Sequence, residues 1–167
     1  MQLAKWGGAR VISTVSSPAK DMQARRAGAD LVINYRTEDV AARIMEFTER
    51  RGVDRVVDVD FGGSIATTLK IMAFNSTIAV YATNGNRTPV IQMRDLMEKC
   101  IALRALVLYA LPPSLLAAAQ ADISKWLAAG PRIHNIAAQF TLADTAQAHL
   151  AVEKGDKFGT VIVDCAR

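Results

Sequence analysis

Short β-branched runs alternate along the chain with segments whose apolar residues recur at helical spacing. That is the pattern of a parallel sheet covered by helices on both faces. Val11 to Val15 (VISTV) is the first run that reads as a strand. Ser17 then offers an N-cap hydroxyl, Pro18 suits the first helical position, and Gly28 supplies a stop. Leu31 to Ile33 is a short second strand. Thr37 is expected to cap the next helix, with Glu38 and Asp39 in its first turn, Val40, Ile44 and Phe47 along one face, and Gly52 as terminator. Val56 to Val59, Thr77 to Tyr81 and Ile101 to Tyr109 predict three further strands, the last nearly all apolar and read as buried. Helices are expected over Ser64 to Met72, Ser114 to Ala129 and about Asp144 to Lys154, and Gly159 to Val163 closes the sheet. Gln2 to Lys5 reads as the end of a helix that leads into a strand.

The expected fold is α/β: a doubly wound, Rossmann-like, mostly parallel sheet with helices on both faces, in a single dinucleotide-binding domain over residues 1–167. Domains usually hold about 100–200 residues. In such a unit a strand and a glycine-rich turn stand before the first helix. The ten glycines include no G-x-G pair, so the first strand and its pyrophosphate-cradling loop are expected to be missing.

Composition narrows the function classes. Hydrophobic residues at 51% and charged residues at 22% exclude disordered, collagenous and coiled-coil chains. A formal charge of +4 with interleaved signs and only 6% aromatics gives neither a phosphate-tracking stripe nor a base-stacking platform, so no nucleic-acid partner is expected. Cys100 and Cys165 form no CxxC pair or disulfide framework, and a reducing, cytoplasmic interior is the expectation. The opening MQLAKWGGAR lacks the apolar core of a signal peptide. In the apolar stretch from Cys100 to Ala119, Arg104 and the Pro112-Pro113 pair argue against a membrane span.

Chemistry-bearing motifs are sparse. His134 and His149 form no HxxxH or HExxH arrangement, and no local ligand cluster for zinc can be assembled. Ser64 in GGSIA lacks a nucleophile elbow, and no P-loop occurs. Asp58 and Asp60 are not expected to act as a carboxylate pair, and Asp58 is expected to cap a backbone group or pair with a cation. No catalytic residue is assigned.

The strings VISTVSSPAK, AGADLVINYR, GVDRVVDVDFGG and FTLADTAQAHLAVEKGDKFGTVIV resemble the cofactor-binding half of the medium-chain dehydrogenase/reductase superfamily. They are most similar to its zinc-independent NADPH:quinone oxidoreductase branch, over nearly the whole chain and in the same order. Members normally carry an N-terminal GroES-like catalytic domain, which is expected to be absent here. The resemblance implies that NADPH is the cofactor and that Ser16, Lys20 and Tyr35 hold its adenosine 2′-phosphate. It places Asp60, Phe61 and Gly62 near the nicotinamide ribose, and Tyr81, Ala82 and Thr83 in the corresponding turn one strand later. Ala82 stands where a glycine is common.

The residues agree independently on the phosphate. NAD-selective units place an acid near the end of the strand that follows their glycine-rich turn and first helix, the place that Val11 to Val15 takes here, whereas no acid follows Val15 until Asp21. Lys20, beside the N-terminus of a helix, suits a dianion. The alternatives are a solvated first-turn lysine, a tyrosine in half-buried packing, and turns that bind nothing. The resemblance also implies a homodimer in which Ile101 to Tyr109 pairs antiparallel with its copy, which would cover an apolar edge strand. The alternative is an edge covered by the chain's own C-terminal helices. Two functions are compatible with the sequence. One is the NADPH-binding domain of a quinone reductase-like, alcohol dehydrogenase-like oxidoreductase, passing hydride to a quinone or another carbonyl or enone acceptor. The other is a truncated nucleotide-binding or dimerisation module without turnover.

Overall fold

Local capping signals set the first βαβ unit. A computed structural model describes residues 1–83, 85–155 and 158–166. In it β1 (Ile12–Val15) runs straight into Ser17, whose hydroxyl accepts the Lys20 amide, and Pro18 opens α2 (Pro18–Arg26). Gly28, at φ +92°, takes the left-handed conformation that reverses the chain. The return strand β2 (Leu31–Asn34) pairs parallel with β1. After α3 (Val40–Phe47), strands β3 (Val53–Asp58), β4 (Met72–Val80) and β5 (Ala102–Ala105) form a second parallel sheet in that order. Helix α4 (Phe61–Ile71) crosses from β3 to β4, and α5 (Met93–Glu98) precedes β5. Beyond α6 (Pro113–Ala128), strand β6 (Ile136–Thr141) pairs parallel with β7 (Thr160–Asp164) across α7 (Thr145–Glu153). A short α1 (Gln2–Trp6) opens the chain.

The α/β class and the parallel pairing are as expected, but the sheet is broken into three pieces. The break between the first two pieces falls where the first strand is expected to be missing. Ile12 of β1 and Val53 and Val56 of β3 pack against one cluster made by Ile33, Ile44 and Ile71. Among the described residues, however, no ladder links β1 to β3. The main core lies between α4, β4 and α5, with Phe61, Ile65, Leu69, Met72, Ile78, Val80 and Leu96 buried. The accessible surface is 11516 Å², well above the about 8,000 Å² of a compact monomer of 18.0 kDa.

Several boundaries differ from expectation. The cap of α3 is Asp39, whose carboxylate accepts the Ala42 amide at 3.0 Å, not Thr37. The α3 helix ends at Phe47, before Glu49 and Arg50 turn left-handed at φ 52° and 63°. Gly52 is therefore not its terminator. A Cβ at Gly52 would lie 2.5 Å from the Ile71 carbonyl oxygen, so this glycine permits the close approach of β3 to the start of β4. The fifth strand is four residues long and exposed throughout, not a buried run from Ile101 to Tyr109. Its partner β4 ends at Val80, paired with Ala105. Among the described residues no ladder continues beyond that pair, and Leu108–Ala110 coils into a 3₁₀ turn. Strand β6 and helix α5 lie in segments without a periodic signal. No described helix is long and apolar enough to cross a membrane.

Candidate cofactor-binding site

The β1–α2 junction brings the first group of predicted residues together. Tyr35 donates its amide to the Val15 carbonyl at 3.1 Å, which extends the Val15–Asn34 register and sets Ser16 and Tyr35 at neighbouring strand ends. Lys20, on the first turn of α2, reaches back so that its Nζ donates to Ser16 Oγ at 3.0 Å. The Tyr35 side chain is 54% exposed, so its ring is not committed to packing. Asp21, the first acid after β1, is turned along α2 onto Arg25, with contacts of 2.7 and 3.2 Å. That hydrogen bond raises the Arg25 pKa. Among the described residues Lys20 is thus left with a hydroxyl partner and no compensating carboxylate. A groove of about 450 Å³ runs beside Lys20 over Val15, Ala24 and Ala27.

The second group forms two interlocked turns at the carboxyl ends of β3 and β4. Asp58 is buried, and it accepts the Asp60 amide at 2.8 Å and the Ser64 hydroxyl. It caps backbone as the sequence predicts. Asp60 points elsewhere, accepting the Gly85 amide at 2.7 Å. Phe61 donates its amide to the Ala82 carbonyl at 3.2 Å, and Tyr81 donates its amide to that of Asp58 at 3.2 Å. The Gly62 amide donates to Thr83 Oγ1 at 3.1 Å, and the Thr83 hydroxyl donates to the Asn86 carbonyl at 2.6 Å. All six predicted residues therefore meet.

They have unequal capacity to touch a ligand. The Phe61 ring is part of the core, while Tyr81 is 55% exposed. Gly62 lies under the Asn86 carbonyl, leaving no room for a Cβ. Asp60 Oδ2 packs against Gly63 and Gly85, whose Cβ positions would be 2.5 and 2.6 Å away. Gly85 and Asn86 were invisible to sequence reasoning; the available signal was a polar glycine turn directly after an apolar strand. Among the described residues no ladder joins the strands that carry the two groups across the break in the sheet.

Among the described residues no three His, Cys, Asp or Glu side chains gather, and Cys100 and Cys165 are exposed free thiols. A larger open groove of about 730 Å³, between α7 and the β6–β7 pair, contains none of the predicted residues.

Known proteins give these turns a context. Residues 1–125 match the family model described as zinc-binding dehydrogenase. A quinone oxidoreductase of Pseudomonas aeruginosa is 27% identical over 165 residues, covering 97% of this chain and 51% of that protein. Quinone oxidoreductase 1 of Escherichia coli is 46% identical over 57 residues, which cover 34% of this chain and 17% of that protein. The crystal structure of Escherichia coli quinone oxidoreductase complexed with NADPH superposes with a TM-score of 0.78 at 25% identity, covering 98% of this chain and 52% of that one. The chain thus spans about half the length of the Pseudomonas relative. It belongs to the zinc-binding dehydrogenase family of the medium-chain dehydrogenase superfamily, as a Rossmann-like cofactor-binding domain of quinone oxidoreductase type.

Proposed function

We propose that residues 1–167 form one dinucleotide-binding domain that binds NADPH within a quinone reductase-like oxidoreductase. The observation that carries this reading is the Ser16–Lys20–Tyr35 cluster, with Lys20 3.0 Å from a hydroxyl while Asp21 is held by Arg25. Lys20 and Tyr35 bind and orient the 2′-phosphate, and the backbone at Ser16 lets it approach. Asp60, Gly62, Tyr81, Ala82 and Thr83 position the nicotinamide ribose, with Phe61 anchoring their turn to the core. Bound NADPH supplies a hydride to a quinone or another carbonyl or enone acceptor. The chain's contribution is positioning; no side chain of its own is assigned as acid, base or nucleophile, and no zinc takes part. The protein acts in the cytoplasm as a homodimer through the outer edge of β5.

A fluorescence titration with NADPH and, separately, NADH tests this reading. Lys20→Ala is expected to weaken NADPH about tenfold with little change for NADH. Equal affinities for the two cofactors, unchanged in the variant, would refute it. The second reading, a nucleotide-binding or dimerisation module without turnover, is favoured by the break between β1 and β3, and would be supported by cofactor binding without reductase activity.

A further inference from the structure

Ionic groups around the ends of β1 and β2 are sorted by sign. Each nearby acid is engaged elsewhere. Asp21 is held by two nitrogens of Arg25. Glu38 accepts the Asn34 amide at 2.8 Å and the Arg43 Nε at 3.1 Å. Asp39 accepts the Ala42 amide at the start of α3. Among the described residues, two cations beside the carboxyl ends of these strands pair with no acid. Lys20 has a hydroxyl partner, and Arg36, directly after Tyr35, uses only its backbone amide, which donates to Asn34 Oδ1 at 3.1 Å. The Arg36 side chain is exposed, and among the described residues its guanidinium enters no hydrogen bond or ion pair.

A surface arginine is commonly paired when acids lie this close in sequence. Here Arg25 and Arg43 take those acids, and Arg36 stays available directly after Tyr35 in the turn that leaves β2. A phosphate monoester carries about −1.5 to −2 charges near neutral pH, so one lysine leaves it undercompensated. A guanidinium adds a permanent charge and a planar pair of donors matched to phosphate oxygens.

We infer that Arg36 is the second cation of the 2′-phosphate site, so that Lys20 and Arg36 together select a phosphorylated ribose over one with a free hydroxyl. The inference rests on the phosphate reading given above. Ion pairing of Asp21 and Glu38 supports it by keeping two carboxylates off the same dianion.

Calorimetric titration of the full chain with adenosine 2′,5′-bisphosphate and with adenosine 5′-monophosphate separates the two claims, because both ligands lack the nicotinamide half. Wild type is expected to prefer the bisphosphate. Arg36→Ala should weaken the bisphosphate about fivefold, the scale of one exposed charge contact, and leave the monophosphate unchanged. Arg36→Lys should restore most of the preference, and added salt should weaken wild type more than Arg36→Ala. The substitution removes no hydrogen bond or ion pair among the described residues, so an unchanged melting temperature is the folding control. If Lys20→Ala loses the preference while Arg36→Ala stays within about twofold of wild type, the phosphate site stands and the role of Arg36 is overturned. If wild type shows no preference, the phosphate reading falls and this inference falls with it.

Discussion

The carboxylate of Asp30 is shared between Lys5, whose Nζ lies 2.9 Å from both oxygens, and the backbone amide of Val11 at 2.6 Å. Three donated hydrogen bonds therefore converge on one side chain and tie α1 to the entrance of β1. The Lys5 and Val11 hydrogen bonds hold the Asp30 carboxyl below its ordinary pKa. A depressed acid contributes stability that is fully present above its unfolded pKa and is lost as pH falls through the lower folded value. The expected loss thus begins below about pH 4. Thermal melts of wild type and Asp30→Asn across that range check this: the wild-type melting temperature should fall more steeply with acid, and the two curves should converge at the lowest pH.

The packing of Ile33 and Ile78 gives a second prediction. Both are fully buried, Ile33 in the cluster shared by β1 and β3 and Ile78 in the core under α4. Truncation of either to alanine should cost about 2–5 kcal/mol, measured by chemical denaturation. Ile33→Ala is expected to increase the exchange of amides in β1 and β2 more than in β4, and Ile78→Ala the reverse.

Gly62 gives a third. Its missing side chain makes room for the Asn86 carbonyl, so Gly62→Ala forces the Thr83–Gly62 hydrogen bond open. Overpacking of this kind costs about 1–3 kcal/mol. If the turn positions the nicotinamide ribose, NADPH binding should weaken in Gly62→Ala while adenosine 2′,5′-bisphosphate binding is retained.

A fourth concerns the edge of the second sheet. Leu103 lies on β5, whose outer side has no partner strand among the described residues. Sedimentation should show a wild-type dimer, and Leu103→Lys, which places charge on that edge, should shift it toward monomer. A monomeric wild type would remove the proposed assembly.

What could be read along the chain depended on how local its cause was. Ser17, Pro18 and Gly28 act within one helix, and α2 lies where they predict. Ser16 and Lys20 are one helical turn apart, so their convergence was also legible. The extent of β5 was not, because it depends on where β4 ends, and an apolar run continues past Ala105 without a neighbour. Strand β6 carries two alanines and a glutamine, and exists through its pairing with β7 some two dozen residues later. The N-cap of α3 was not legible either, because Thr37 lies in the turn that closes on Asn34, its amide donating to the Asn34 carbonyl, which leaves Asp39 to do the capping. The Asp60–Gly85 contact spans 25 positions, beyond what any local motif describes.

Each of the three sheet pieces is taken from one uninterrupted stretch of chain: 12–34, 53–105 and 136–164. Contacts that close short loops form early and at low entropic cost, and contiguous units of this kind can open separately. The chain is therefore expected to behave as a set of coupled folding units. Ile71 decides how tightly the first two are coupled, since it stands at the end of α4 in the second stretch yet packs with Ile33 and Ile44 ahead of it. Shortening that one side chain should turn a single melting transition into two.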